Sequence, residues 1–471
     1  MSPGIIKIDP ELCTGCRHCA LHCPVQAIEG TTGQPHRINP ERCVMCGQCI
    51  QICPAYVSRS DAGINLYAQK RQERNLPVSV TEPLFAAYYD SDVPAVKAAL
   101  ADKDLFTVVQ CSAAVRVSIA EEFGMPLGSL TPGKLAAALQ KLGFKRVYDS
   151  NFAADLNTME VSEELLERLE DGGVLPLFTS CCPAWVKFVE QEYPDLIAHL
   201  STCKSPQQMG GALFKTYGAA LNKVTASRIY SVAVMPCTGK KFECQRPEMQ
   251  DSGYRDVDVV LTTRELAQLI KDAGIDFKNL LKAKFDKPLG VYSGAGAIFG
   301  ASGGVMEAAL RTGYELVTRQ AIPDVKLAFV RGGEGVRRAN VRIGSWQLKV
   351  VVVSGLKYAV PILEAIRKGK ADFHFMEVMA CPAGCISGGG QPKVWPVSDR
   401  KLAYDRRAHS IYRHDERQKN RKAHNNPAIQ RIYEEFLEEQ NGYQLLHTRY
   451  TPRSRQKSCL DCTNYLHLVR E

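Results

Sequence analysis

Cysteine spacing is where chemistry first shows in this chain. Cys13, Cys16, Cys19 and Cys23, the last followed by Pro24, recur 30 residues on as Cys43, Cys46, Cys49 and Cys53, followed by Pro54. Steps of three closed by a cysteine–proline pair are the ligand spacing of paired four-iron cubes, in which three thiolates hold one cube and the fourth reaches across to the other. Cys13, Cys16, Cys19 and Cys53 are therefore expected around one cube, and Cys43, Cys46, Cys49 and Cys23 around the second. Structural zinc favours two separated ligand pairs or mixed Cys and His sets, and fits this doubled spacing poorly. Two such clusters conduct electrons; they do not choose a substrate.

The choice must lie further along, where three segments carry five more cysteines: 179–185 (TSCCPAW), 235–243 (MPCTGKKFE) and 377–392 (EVMACPAGCISGGGQP). A third cube needs four ligands, which leaves one thiol for other chemistry. Gly388, Gly389 and Gly390 would let backbone approach a bulky inorganic group, and Lys240 adds a fixed positive charge. Any one of these cysteines could be a small core hydrophobe; three clusters in like positions are not explained that way.

The elements that must position these thiols follow from the apolar pattern. The runs 174–178, 229–234 and 373–379 read as strands, each ending within a few residues of a cysteine. From about 85 to 400 such strands alternate with amphipathic helix candidates, which predicts an α/β domain with largely parallel sheets. In open α/β sheets a ligand sits beyond the carboxyl ends of the strands, so three strand ends can bring distant thiolates together. Ahead of this body, the cysteine repeat has the spacing of a two-cluster bacterial ferredoxin. Residues around 60 to 80, including Ser58, Arg59, Ser60, Gln72 and Glu73, read as a polar helix or linker.

The three cysteine segments resemble, in order, the signatures of the iron-only hydrogenases, and residues 201–208 (STCKSPQQ) and 296–311 (GAIFGASGGVMEAALR) resemble the same catalytic domain. The resemblance spans almost the whole chain. It implies an active site that joins a four-iron cube to a two-iron unit carrying carbonyl, cyanide and a bridging dithiolate. Carried over, Cys182, Cys237, Cys381 and Cys385 hold that cube, with Cys385 shared between the two parts. Cys181 exchanges protons with the bridging amine, and a thiol of ordinary pKa, ~8.5, is mostly protonated at neutral pH. Lys240 donates to a cyanide. Ser205, Gln207, Met235, Phe299, Met379 and Ala114 belong to the pocket wall, although for Met235, Phe299 and Met379 plain core packing is the commoner fate of such residues. The implied proton path runs from Cys181 through a water, Glu164 and Ser201 to an outer carboxylate and Arg168.

The sequence departs from the family at two places. A second glutamate is usual three positions before the one matching Glu164; here that position is Val161, so Glu160 or Glu163 would have to substitute. At 111–116 (CSAAVR) the family commonly has alanine–proline before the small residue. Ser112 there is read as capping a helix, ahead of a bond to a diatomic ligand.

Length and composition agree with this division. The 471 residues suit a domain 81–400 that is the catalytic α/β unit, mainly parallel sheets flanked by helices. A small α+β ferredoxin unit, 1–80, precedes it. A helical wrapping segment, 401–450, follows, resembling the small subunit of two-chain relatives, and a basic tail, 451–471, carries Cys459 and Cys462. Of the net charge of +9, residues 400–471 contribute +6, with 15 Lys or Arg against 9 Asp or Glu. That surplus suits a solvated helical face or an acidic partner better than nucleic acid. No apolar run reaches the ~18 residues a membrane span needs, and no export signal precedes Cys13. With eighteen cysteines in metal-like clusters, a cytoplasmic metalloprotein is expected. Its partners would be a soluble electron carrier, ferredoxin or flavodoxin, and the proteins that mature the two-iron unit. The rival reading is a non-catalytic scaffold or hydrogen sensor of the same fold, which would keep cube ligands but lack the catalytic groups. An organic-substrate oxidoreductase would need a flavin or nucleotide loop, and none is found.

Overall fold

The structure is a computed structural model that describes residues 4–59, 64–74, 76, 82–438 and 442–453. Ser60, Cys459 and Cys462 lie outside the described residues.

Two four-stranded sheets form the body. The first takes Val259–Thr262, Ile229–Met235, Phe106–Cys111 and Arg146–Asp149 in that order, all parallel. The second takes Gly335–Ile343, Trp346–Ser354, Phe375–Met379 and Leu177–Phe178, in which only the first pair is antiparallel. Parallel strands covered on both faces read as unbroken apolar runs, and Val350, Val351, Val352 and Val353 are each almost wholly buried. The edge strand Gly335–Ile343 instead alternates, with Arg338, Asn340 and Arg342 on its other face, as a strand with one wet face does. Gly344, at φ 58°, turns this strand back into Trp346–Ser354. The expected α/β body on mainly parallel sheets is what the chain builds.

Two strands come close to their expected bounds, Ile229–Met235 and Phe375–Met379, but the one expected at 174–178 shrinks to Leu177–Phe178. Val174 is exposed and Pro176 offers no N–H to a ladder, so pairing starts only after them. Behind the site runs the helix Ser150–Glu170. Asp149 caps it, its Oδ1 accepting from Asn151 N at 2.9 Å and from Arg116 Nη2 at 2.6 Å. The helix Gly294–Ile298 packs so closely on it that a Cβ on Gly296 would stand 2.3 Å from the Asn151 carbonyl oxygen.

The amino-terminal unit is built from short antiparallel pairs, Ile28–Glu29 with Arg37–Ile38, Tyr56–Val57 with Leu84–Phe85, and Ile6–Ile8 with Ala87–Tyr89. The last two pairings carry this unit past residue 80, the seam expected from sequence. The polar stretch in between forms the helix Ile64–Glu73, tied down where Asp9 meets Arg74 at 3.0 Å and Lys70 at 3.3 Å. Among the described residues no helix is long and apolar enough to cross a membrane.

The carboxyl-terminal segment is helical, as expected: Arg400–Glu416, Pro427–Ile432, the wider turn Tyr433–Leu437, and Gly442–Leu446. Charge pairs buried in the body fasten it. Asp415 accepts from Arg311 at 2.9 and 3.0 Å and from Arg421 at 2.6 Å, and Arg407 pairs with Glu121 at 2.5 Å. Burial alone would push the Asp415 carboxyl up; hydrogen bonds and charge from the two guanidiniums overcome it and hold the pKa below the ordinary value. Asp415→Ala removes one of two buried carboxylates that pair with Arg311, Glu307 remaining at 2.6 Å, so stability at neutral pH should fall by about 1–3 kcal/mol in chemical denaturation. Because the folded pKa lies below the unfolded value of about 3.9, the carboxylate contributes above that pH and loses its contribution as pH falls through the folded pKa. The denaturation curves of the two proteins should therefore converge in acid.

Candidate cluster site and its proton-handling groups

Each cysteine loop begins where a strand ends. Leu177–Phe178 and Phe375–Met379 are neighbours in one sheet and Ile229–Met235 is an inner strand of the other, so the carboxyl ends of both sheets deliver thiols to one place. The convergence is visible in the charges the thiols feel. Burial first, then the neighbouring charges of Cys237, Cys46, Cys182 and Cys385, pushes Cys381 far above the ordinary thiol range. Cys385 responds in the same way to burial, Cys182, Cys237 and Cys181. Backbone N–H groups temper this at two sulfurs: those of Ala380, Trp185 and Ala184 at Cys182, and those of Lys240 and Gly239 at Cys237. Such N–H···S bonds favour thiolate, the form a metal cluster takes.

The amino-terminal thiols also gather in two groups. Cys19 feels burial and then Cys53, Cys13 and Cys16, whereas Cys49 feels burial and then Cys46, Cys43, Cys23 and Cys19. The fourth cysteine of each repeat has thus crossed to the other set. Cys46 in turn feels Cys237, so the groups lie in series, from the exposed Cys16 through the Cys46 set to Cys381. Among the described residues no three His, Cys, Asp or Glu side chains close on one point as a single ion requires, whereas cubane ligands stand around a larger body.

Hydrogen bonds lock the second set against the catalytic loops. Gln51 Nε2 donates to the carbonyls of Gly388, Gly389 and Gln391 at 2.9 to 3.3 Å, and Thr238 Oγ1 donates to the Met45 carbonyl at 2.7 Å. The glycine run also lets backbone of other loops come close. A Cβ on Gly388 would stand 2.2 Å from the Pro236 carbonyl oxygen and one on Gly389 2.5 Å from Gly47 Cα. These glycines seat one cysteine loop on two others.

Lys240 does not stand alone. Its Nζ donates to the Glu243 carboxylate at 2.8 and 2.9 Å and to the Cys181 carbonyl at 3.0 Å. Burial pulls its pKa down, but the charge and hydrogen bond of Glu243 carry it above the ordinary value. The same carboxylate accepts from Ser205 Oγ at 2.8 Å and from Gln207 Nε2 at 3.2 Å, while Gln207 Oε1 is buried without a partner. Glu243 thus organises three of the expected site residues and was missed from sequence, although its place three residues after Lys240 on the turn Gly239–Glu243 was there to be read.

Ala114, Phe299 and Met379 share one buried cluster with Cys181 and Cys385 at its edge. Met235 instead packs with Ala233, Cys244, Val257 and Val260, apart from them. Ser112 Oγ accepts from Ala114 N at 3.4 Å, but the turn that follows, Val115–Val117, has Ala114 at its amino-terminal cap and no side-chain capping bond, so Ser112 does not take the expected capping role. Burial, with the charge of Cys182, raises the Cys181 thiol well above its ordinary value, so it stays protonated at neutral pH.

Glu164, Ser201 and Arg168 are brought together. Ser201 Oγ donates to Glu164 Oε2 at 2.5 Å and Arg168 Nη2 to Glu164 Oε1 at 2.7 Å. Val161 is buried in the apolar core beside them. Of its two proposed substitutes, Glu160 pairs with His447 and Tyr433, and Glu163 lies on the solvent side.

Comparison with known proteins adds the context. Residues 106–389 match the family model "Iron only hydrogenase large subunit, C-terminal domain", 401–453 match "Iron hydrogenase small subunit", and 5–54 match "4Fe-4S dicluster domain". The chain is 46% identical to the NADP-reducing hydrogenase subunit HndD of Solidesulfovibrio fructosivorans, over 76% of this chain and 62% of that one. It is 42% identical to the periplasmic [Fe] hydrogenase large subunit of Nitratidesulfovibrio vulgaris, over 86% of this chain and 90% of that one. An apo [FeFe]-hydrogenase HydA1 from Chlamydomonas reinhardtii superposes with a TM-score of 0.68 at 38% identity, covering 77% of this chain and 99% of that one.

Replacing Glu243 with alanine leaves the Lys240 ammonium buried without its carboxylate. The expected cost is about 3–5 kcal/mol in chemical denaturation, whereas Glu243→Gln, which keeps hydrogen-bond acceptance, should cost less. Equal small losses in both would show that Lys240 does not depend on this pairing.

Proposed function

The chain belongs to the iron-only hydrogenase family, and we propose that it interconverts dihydrogen with protons and electrons at an iron centre seated among its three cysteine loops. The observation that carries this reading is the meeting of Cys182, Cys237, Cys381 and Cys385 beside a fifth, neutral thiol, Cys181. The donor chemistry fits the family's cofactor: four thiols, two of them fed by backbone N–H groups, next to an apolar wall. Cys182, Cys237, Cys381 and Cys385 would hold the four-iron cube, with Cys385 shared by the two-iron unit; when bound, this cofactor supplies the site at which dihydrogen is made or split.

The protein's own groups do the rest. Cys13, Cys16, Cys19 and Cys53 would hold the outer four-iron cluster and Cys43, Cys46, Cys49 and Cys23 the inner one, which when bound would supply electron transfer between the surface at Cys16 and the chamber. Cys181, kept neutral, gives and takes the proton at its Sγ. Lys240, held by Glu243 and the Cys181 carbonyl, would offer its positive charge to an anionic ligand, with Ser205 and Gln207 fixed on the same Glu243 carboxylate. Ala114, Phe299 and Met379 exclude water; Met235 supports the strand behind them. Glu164, Ser201 and Arg168 carry protons between this chamber and solvent.

The electron partner is a soluble carrier, ferredoxin or flavodoxin, met near the exposed Cys16, where Arg17 and His18 favour an acidic surface. The maturation proteins of the two-iron unit act on the open chamber. The sixteen cysteines described, all free, suit a reducing cytoplasm, although one relative is named as periplasmic. The unit boundaries we favour are near 90 and near 400, with 401–453 as the fused small-subunit segment. A scaffold or sensor of the same fold would have no use for the Cys181 thiol or the Lys240 cation.

Infrared spectra of protein matured without oxygen should show carbonyl and cyanide stretching bands. Cys181→Ala should keep the iron and these bands while lowering turnover by about 100- to 10,000-fold. Absent bands after maturation would favour the scaffold reading, and unchanged turnover would remove the thiol from the proton path.

A further inference from the structure

Three lysines of the catalytic body end on cysteine carbonyls, one beside each set of thiols. Lys240 Nζ reaches the Cys181 carbonyl at 3.0 Å, and Glu243 offsets its charge. The other two have no carboxylate. Lys187 Nζ donates to the Cys43 carbonyl at 2.7 Å, and Lys393 Nζ donates to the Cys53 carbonyl. Among the described residues no carboxylate stands within ion-pair distance of either ammonium. An aromatic ring takes that place: the Phe242 centroid lies 4.9 Å from Lys187 Nζ, and the Phe85 centroid 3.2 Å from Lys393 Nζ. Glu190, whose charge also bears on Lys187, is already held by Arg246 at 2.5 and 3.0 Å and by Arg453 at 2.8 Å.

The two lysines divide between the two amino-terminal thiol sets. Cys43 belongs to the inner set and Cys53, by the crossed arrangement, to the outer one. Both cations issue from the catalytic loops: Lys187 follows Cys182 by five residues on the helix Pro183–Glu192, and Lys393 follows Cys385 by eight. A buried cation without a counterion is costly, and burial accordingly pulls Lys187 to about 8 and Lys393 to about 7. A cluster held by four thiolates supplies the missing negative charge. Its reduced form carries one negative charge more than its oxidised form, so a cation fixed on a ligand's own carbonyl favours reduction.

We infer that Lys187 and Lys393 are the countercharges that set the potentials of the two amino-terminal clusters, Lys187 raising the inner one and Lys393 the outer one. The inference rests on the crossed ligand sets given above. Both are positioning residues, acting through the cysteine loops and touching no atom that reacts. Since both come from the catalytic body, the amino-terminal unit acquires its working potentials only where it is seated on that body. If instead the lysines only clamp the two units together, their hydrogen bonds matter and their charge does not.

Redox titration of unmatured protein carrying its amino-terminal clusters separates the two, read by electron paramagnetic resonance in mildly acidic buffer, where both lysines are charged. Lys187→Gln keeps a donor for the Cys43 carbonyl but no charge. At a fixed potential it should lower the ratio of reduced to oxidised cluster about tenfold in one of the two reduction waves, which is about 59 mV for one electron. Lys393→Gln should do the same to the other wave. Lys187→Arg and Lys393→Arg, which keep the charge, should titrate near the wild type. Lys187→Met and Lys393→Met, uncharged and of similar size, repeat the measurement if a glutamine disturbs the fold. Neutral variants that titrate as the wild type overturn the inference. So do arginine variants shifted as far as the neutral ones, or both lysines moving the same wave. Wild-type protein that shows both waves but never turns over hydrogen sinks the hydrogenase reading, while the shifts still decide the role of the lysines.

Discussion

Like charges repel strongly where water is scarce, and this fold gathers four thiols into a dry chamber. Two unit charges 4 Å apart repel by about 4 kcal/mol even at an effective dielectric of 20, so four thiolates together are not tolerable without a cation among them. Burial and mutual charge accordingly drive Cys381 and Cys385 toward the neutral form in the protein by itself. A cluster that draws the thiolates to iron reverses this, and the chamber is stable in its charged form only around that cluster. Everything else in the catalytic body serves to hold three loops still against that demand.

Rigidity comes from placing each loop at a strand end and then wedging the loops together. Gly388 and Gly389 remove the side chains that would keep the third loop from Pro236 and from Gly47, and Gln51 pins the same loop by three carbonyls. This couples the electron path to the chamber: the contacts that fix the inner amino-terminal thiols also fix Cys385. The second balance is at Lys240, whose buried cation is offset by Glu243, so the lysine–carboxylate pair adds no net charge to a chamber already crowded with potential anions.

The local parts of this arrangement were legible in the sequence. The doubled cysteine repeat could be drawn as two groups because all eight residues lie within 41 positions, and the strand-end cysteines mark themselves by following apolar runs. Glu243 could have been read from its spacing to Lys240. The glycine run reports only that something comes close; at Gly388 and Gly389 the close neighbours include backbone of two other loops, which spacing does not name. The strand at 174–178 was drawn too long because apolarity outweighed the missing N–H of Pro176. Met235 packs with Ala233, Cys244, Val257 and Val260, a set of neighbours that its motif does not name. No spacing rule could join Glu160 to His447, which lie 287 residues apart; only the wrapped carboxyl-terminal segment brings them together.

The central claim is that three remote loops supply one cluster. Diffraction at the iron edge from crystals of anaerobically purified protein tests it most directly. The account predicts an anomalous iron peak enclosed by the sulfurs of Cys182, Cys237, Cys381 and Cys385, in line beyond two others in the amino-terminal unit. Iron confined to the amino-terminal unit, with those four sulfurs turned apart, would contradict it.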